Sequence, residues 1–196
     1  MKPTFLTYEK PLLTTILQCR TPEVAKYRIG KALELGTDAF GLQTESLLPE
    51  YRNEVTIRDI FAAMGGKPIY ATHYRPDKTV DTEDEMLGEA ILSLADWGAT
   101  LCDVMGDLYC KDPDELTMDR TAVKKQQALI ERIHNKGAEV LMSSHLYRYA
   151  PAERVLEIGL EQQRRGADVV KIVTKADDDR ELLDCFRAIT LLKENL

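Results

Sequence analysis

Short apolar runs start near Pro11, Asp38, Pro68, Thr100, Glu139 and Asp168, and a longer amphipathic stretch follows each one. Successive starts lie 27, 30, 32, 39 and 29 residues apart. A strand-then-helix rhythm repeated six times leaves few folds open. Parallel neighbours need a long crossover, and a helix supplies it. The runs PLLTTILQ (11–18), DAFGLQ (38–43), PIYATH (68–73), TLCDVM (100–105), EVLMSS (139–144) and VVKIVT (169–174) read as strands of a sheet covered by helices. Thr21 reads as an N-cap with Pro22 in the first helical turn, and Gly36 as the stop. Further helices are expected over 55–64, 81–97, 119–135, 151–166 and 178–194.

Two architectures carry this rhythm. An open doubly wound sheet needs five or six strands and suits 196 residues. A (β/α)8 barrel needs about 250 residues, so the chain holds six of its eight units. The periodicity alone favours the open sheet. The first strand-to-helix turn, Gln18-Cys19-Arg20-Thr21, holds neither a dinucleotide glycine pattern nor a phosphate loop. Dinucleotide binding therefore loses its main support.

Composition narrows the function classes. A net charge of −7 disfavours a nucleic-acid binder, whose footprint is basic. Cys19, Cys102, Cys110 and Cys185 are scattered and read as reduced thiols of a cytoplasmic protein. No apolar run approaches the 18 or so residues of a membrane span, and the first ten residues lack a signal-peptide core. With 44% hydrophobic residues, the chain is expected to form one domain over 1–196.

In either architecture the C-terminal ends of the strands carry the site. There stand Gln43, Thr44 and Glu45; His73, Tyr74 and Arg75; Asp103 and Asp107; Ser143, Ser144 and His145; and Lys171 inside Val-Val-Lys-Ile-Val. Lys171 has two readings: an ammonium that snorkels out or pairs with a carboxylate, or a desolvated amine able to attack a carbonyl. His145, one strand earlier, is either a hydrogen-bonded loop residue or a general acid/base beside that amine. His73, Glu45, Asp103 and His145 lack the close ligand spacing of a metal site, so none is expected. His134 reads as a cap on the last turn of its helix, the acidic run Asp77 to Glu85 as an exposed helix start, and Lys124-Lys125 and Arg164-Arg165 as exposed pairs.

The stretch Val140-Leu-Met-Ser-Ser-His145, followed one βα unit later by Gly166-Ala-Asp-Val-Val-Lys171-Ile, resembles type I 3-dehydroquinate dehydratase. The likeness is sharp over 138–192 and generic elsewhere. It implies an α/β fold of the (β/α)8 TIM-barrel type, which reverses the preference for an open sheet. It implies a cofactor-free Schiff-base lyase acting on a small carboxylated ketone, 3-dehydroquinate, and a homodimer. Lys171 would form the imine and His145 would move the proton. The Glu-x-Arg of the family's second strand is replaced by Gly41-Leu42-Gln43, leaving Gln43 and Glu45, with Arg75 after strand three, as substrate contacts. The family pattern also calls for an acidic residue near the end of strand four, where Val104-Met105-Gly106 stands, and for two more units beyond Leu196. We therefore read the chain as a fragment of a longer product or a truncated gene model, in preference to an incomplete barrel completed by another chain. Another imine-forming, aldolase-like lyase and a non-catalytic relative are the competing readings.

Overall fold

The protein is represented by a computed structural model describing residues 3–7, 10–75 and 82–196. Its strands are β1 (Thr14–Leu17), β2 (Ala39–Gln43), β3 (Ile69–Thr72), β4 (Leu101–Met105), β5 (Glu139–His145) and β6 (Val169–Val173). Its helices are α1 (Pro22–Glu34), α2 (Glu54–Ala63), α3 (Asp84–Trp97), α4 (Arg120–Asn135), α5 (Ala152–Arg165) and α6 (Asp179–Asn195). The strands lie in chain order from β1 to β6. The pairs β1–β2, β2–β3, β3–β4 and β5–β6 are parallel. The rhythm seen in the sequence is thus realised as six βα units.

The helix ends follow the local chemistry. Thr21 accepts the Val24 N–H, Asn53 accepts from Thr56 and Asp178 from Glu181, satisfying donors at the starts of α1, α2 and α6. Gly166 closes α5 at φ 108°, a conformation that costs other residues dearly. Two expectations need correction. The first strand is Thr14–Leu17 and half-exposed, with the preceding Leu13 62% and Ile16 47% accessible, because among the described residues it pairs on one side only. The sixth strand is likewise partly exposed along its length, since β5 is its single neighbour among the described residues. The start proposed for the third helix, Asp81, and residues 77–80 of the acidic run lie outside the described residues; Asp84 and Glu85 do occupy the first turn of α3.

Two compact units are present, residues 1–103 with 132–139, and residues 104–131 with 140–196. In the first, Ile16, Gly41, Tyr70 and Leu101 form one cross-strand row, and Leu17, Leu42, Ala71 and Cys102 the next. The second row faces the helices: Cys102 Sγ reaches the Ile91 carbonyl of α3 at 3.9 Å. Alternation then sends Gln43, Tyr70, Thr72 and Asp103 to the opposite face. Gly41 is needed there, because a Cβ would stand 2.4 Å from Ile16 Cδ1 and 3.1 Å from the Tyr70 ring. In the second unit, Ser144 and Ile172 are register partners facing α5 and α6. Ile172 packs on the core of Val155, Ile158 and Ala188. Ser143, His145 and Lys171 therefore project from the face away from the helices.

Candidate active site

His145 closes β5 and Lys171 stands mid-way along β6, where its register partner is Ser143. His145 and Lys171 are thus offset by two residues on one face of adjacent strands. Two steps of strand rise and one strand spacing put their Cα atoms about 8 Å apart, within reach of two long side chains. Ser143, fully buried, lies between them in sequence and beside Lys171 in register.

Glu115 organises this end of the sheet. Its Oε2 accepts from the main-chain N–H of His145 at 2.9 Å and lies 2.8 Å from the ring Nδ1. A carboxylate only accepts, so the ring donates from Nδ1, and the tautomer this selects for a neutral imidazole has its lone pair on Nε2. The Glu115 carbonyl also takes the Ser144 hydroxyl at 2.8 Å. Tyr147, at φ 52°, stacks on the imidazole with ring centres 6.0 Å apart. Neither Glu115 nor Tyr147 was singled out from the sequence. The acidic residue sought beside Val104-Met105-Gly106 arrives instead from the loop that follows, with Glu115 itself at φ 46°. Gly106 makes room: a Cβ there would lie 2.4 Å from the Glu115 carbonyl oxygen.

The loop is held by a side chain misread from the sequence. Arg165 is not part of an exposed pair but has a fully buried side chain, because Ile158, Gln162 and Arg165 share the inward face of α5. Its guanidinium donates to the carbonyls of Gly106 at 3.0 Å and Thr117 at 2.6 Å, and to Gln126 and Glu161 at 2.8 Å each. Arg164 keeps the exposed role. Lys125 is exposed, as expected, and sits 5.3 Å over the Tyr109 ring.

In the first unit, Gln43 ends β2 and accepts from Gln18. Glu45 is buried and accepts from the Thr72 hydroxyl at 2.9 and 3.1 Å, while burial lifts its carboxyl above the usual range. Arg75 forms a two-pronged pair with Asp84, at 3.0 and 3.2 Å. Tyr70 donates to the buried Asp103. Burial and that carboxylate raise the phenol well above its ordinary value. His73 faces the other way, bonded to Thr44 at 2.9 Å, so it does not join Glu45 and Asp103 around a common point. Among the described residues no helix is long and apolar enough to cross a membrane.

The buried His73 gives a pH signature. Burial first, and then the nearby Arg52, push its pKa down to about 4 from 6.5. The unfolded chain therefore takes up a proton below pH 6.5 that the folded ring refuses until about 4. Stability falls over that window as pH drops, by roughly 3 kcal/mol. Glu45, shifted upward, acts in the opposite sense and relieves part of the loss. Urea unfolding of the wild type and His73→Phe at stepped pH should show the steeper acid slope in the wild type only.

A family model described as type I 3-dehydroquinase matches residues 15–196. The chain belongs to the type I 3-dehydroquinase family. A 3-dehydroquinate dehydratase of Alkaliphilus oremlandii (strain OhILAs) is 31% identical over 70 residues, 35% of this chain. That stretch spans 28% of the relative's own length. The 3-dehydroquinate dehydratase of Geobacillus kaustophilus HTA426 superposes with a TM-score of 0.81 at 11% identity, over 97% of this chain and 72% of that one. That of Enterococcus faecalis gives 0.77 at 16% identity, over 97% and 77%. These likenesses show the fold: α/β, of the (β/α)8 type, with six of the eight βα units in this chain.

Proposed function

We propose that residues 1–196 are one domain of a type I dehydroquinase-like lyase that removes water from 3-dehydroquinate through an imine on Lys171. The observation that carries the reading is the shared face of His145 and Lys171 on adjacent strands, with Glu115 holding His145 through Nδ1 so that Nε2 is the ring atom assigned as the base. The Lys171 amine adds to the ketone and water leaves, giving a cationic imine. That cation acidifies the neighbouring carbon, because the electrons left behind spread into an enamine. His145 Nε2 takes the proton and returns it to the departing hydroxyl, so water is lost. Hydrolysis of the conjugated imine frees the product and restores the amine. The lysine is the electron sink, and the scheme calls for no metal or organic cofactor. The resemblance adds Gln43, Glu45 and Arg75 as substrate contacts, Arg75 being paired with Asp84 in this structure. The free cysteines suit a reducing cytoplasm.

Incubation with 3-dehydroquinate and sodium borohydride, followed by peptide mapping, tests this. A reduced adduct on Lys171 is expected; its absence would sink the assignment. A second reading is favoured by Gly41, where Ile16 and Tyr70 close over the position that carries a charged contact in the family pattern. A ketone with fewer hydroxyls would suit that apolar wall, and trapping a panel of carbonyl acids separates the two.

A further inference from the structure

The helix-facing side of the first unit contains a cavity of about 160 Å³ between α2, α3 and the ends of β2 and β3. Its lining is apolar at Ile57, Ala90, Leu94 and Trp97 and polar at Arg52 and His73. Thr72 and Asp103 project from the opposite face of the sheet, so this space is separate from the Glu45–Thr72 cluster. A dry cavity of about 150 Å³ holds a benzene ring.

The polar side has a definite donor and acceptor pattern. The Thr44 hydroxyl donates its one hydrogen to the Thr72 carbonyl, so toward His73 it accepts, and the imidazole donates from Nδ1. Burial keeps that ring neutral, which leaves a lone pair on Nε2. Nε2 has no partner among the described residues, and no side-chain polar atom is sealed away without one, so Nε2 opens onto the cavity. Arg52 spends two of its five N–H groups on the carbonyls of Leu47 and Glu45, each at 2.9 Å. Its remaining donors have no partner among the described residues. Ser93, also in the lining, gives its hydrogen to the Glu89 carbonyl and can only accept.

We propose that this cavity binds a single-ring aromatic acid bearing a hydroxyl or amino donor. The ring lies against Ile57, Leu94 and Trp97, the carboxylate meets Arg52, and the donor bonds His73 Nε2. Arg52 supplies the forked, always-charged donor that a carboxylate matches, and it is the cation lining the space. The neutral imidazole requires a ligand that donates, which separates a hydroxybenzoate from benzoate. The proposal does not depend on the lyase reading.

Trp97 is the only tryptophan of the chain, so its emission reports on the cavity directly. Titration with 4-hydroxybenzoate should quench or shift that emission saturably, with calorimetry giving one site. Benzoate and phenol, each lacking one polar group, should bind about tenfold more weakly or worse. Ala90→Leu fills the space and should remove binding, while His73→Phe should bind 4-hydroxybenzoate and benzoate equally. Arg52→Gln should also lose at least tenfold, but Arg52 braces two carbonyls, so the other two variants decide, with circular dichroism confirming their fold. No saturable response in the wild type, binding that survives Ala90→Leu, or a preference for 4-hydroxybenzoate over benzoate that His73→Phe retains, overturns the proposal.

Discussion

Lys171→Ala will abolish both the borohydride-trapped adduct and the appearance of the conjugated enone product, whereas His145→Ala will still be trapped while dehydration slows about 10²–10⁴-fold. The two variants separate because the two groups act at different steps. Without the Lys171 amine no covalent intermediate forms, and the carbon to be deprotonated sits beside an ordinary ketone. Without His145 the imine still forms, since amine addition needs the lone pair of Lys171 and not the imidazole. The proton on the neighbouring carbon then has only water to accept it, and the hydroxyl leaves without an acid. The geometry makes the division natural: the residues are two positions apart along adjacent strands, close enough to address neighbouring atoms of one small ligand. Absorbance of the enone follows turnover, and intact-protein mass follows trapping. If His145→Ala lost trapping as completely as Lys171→Ala, the base would have to be assigned elsewhere. If Lys171→Ala kept turnover, the imine mechanism would be wrong.

What the sequence made legible follows from what is periodic. Each strand is a short apolar run and each helix a longer amphipathic one, so all six βα units can be read, with boundaries off by a few residues. His145 and Lys171 could be singled out because polar residues at strand ends and a lysine among β-branched neighbours are chemically out of place. Glu115 carried no such mark. It sits in a loop whose path depends on Gly106 admitting a carbonyl and on a left-handed backbone at Tyr109 and Glu115, neither of which shows in a hydrophobic pattern. Arg165 was misread for a related reason. Beside Arg164 it looks like half of a solvated pair, but one residue is 100° of helix, and that rotation carries Arg165 from water into the core while Arg164 stays at the surface. His73 shows the same logic on a strand: one step beyond Thr72 it passes to the helix side, away from Glu45. The exposure of Ile16 could not be read either, because an apolar run looks the same whether or not a neighbour covers it.

Arg165→Met should destabilise the protein by about 3–5 kcal/mol, lowering the thermal midpoint by roughly 10 °C or more. Methionine keeps much of the volume but none of the donors. The carbonyls of Gly106 and Thr117 and the Gln126 side chain would lose the group that faces them, and Glu161 would lose its inner partner. A polar group left buried without its bond costs about 1–3 kcal/mol, and three such groups share this one guanidinium. Some relief is available. Gln126 Nε2 still reaches the Gly106 and Leu108 carbonyls, at 3.0 and 2.9 Å, and Glu161 retains Arg164. Those remaining bonds keep the estimate below the sum of the losses. Arg165→Lys should recover only part of the stability, since one ammonium cannot span carbonyls on two segments that a planar fork reaches together. Arg164→Met, one residue away and exposed, should cost less than about 1 kcal/mol. The loss should also reach the chemistry. Gly106 and Thr117 flank the loop that presents Glu115, so releasing them frees the carboxylate that turns His145. Below its melting range, Arg165→Met should therefore trap substrate on Lys171 as the wild type does, yet eliminate water more slowly. Urea titrations of the three variants measure the first effect, and trapping against turnover at low temperature measures the second. A normal elimination rate in a destabilised Arg165→Met protein would show that the loop keeps Glu115 in place without its anchor.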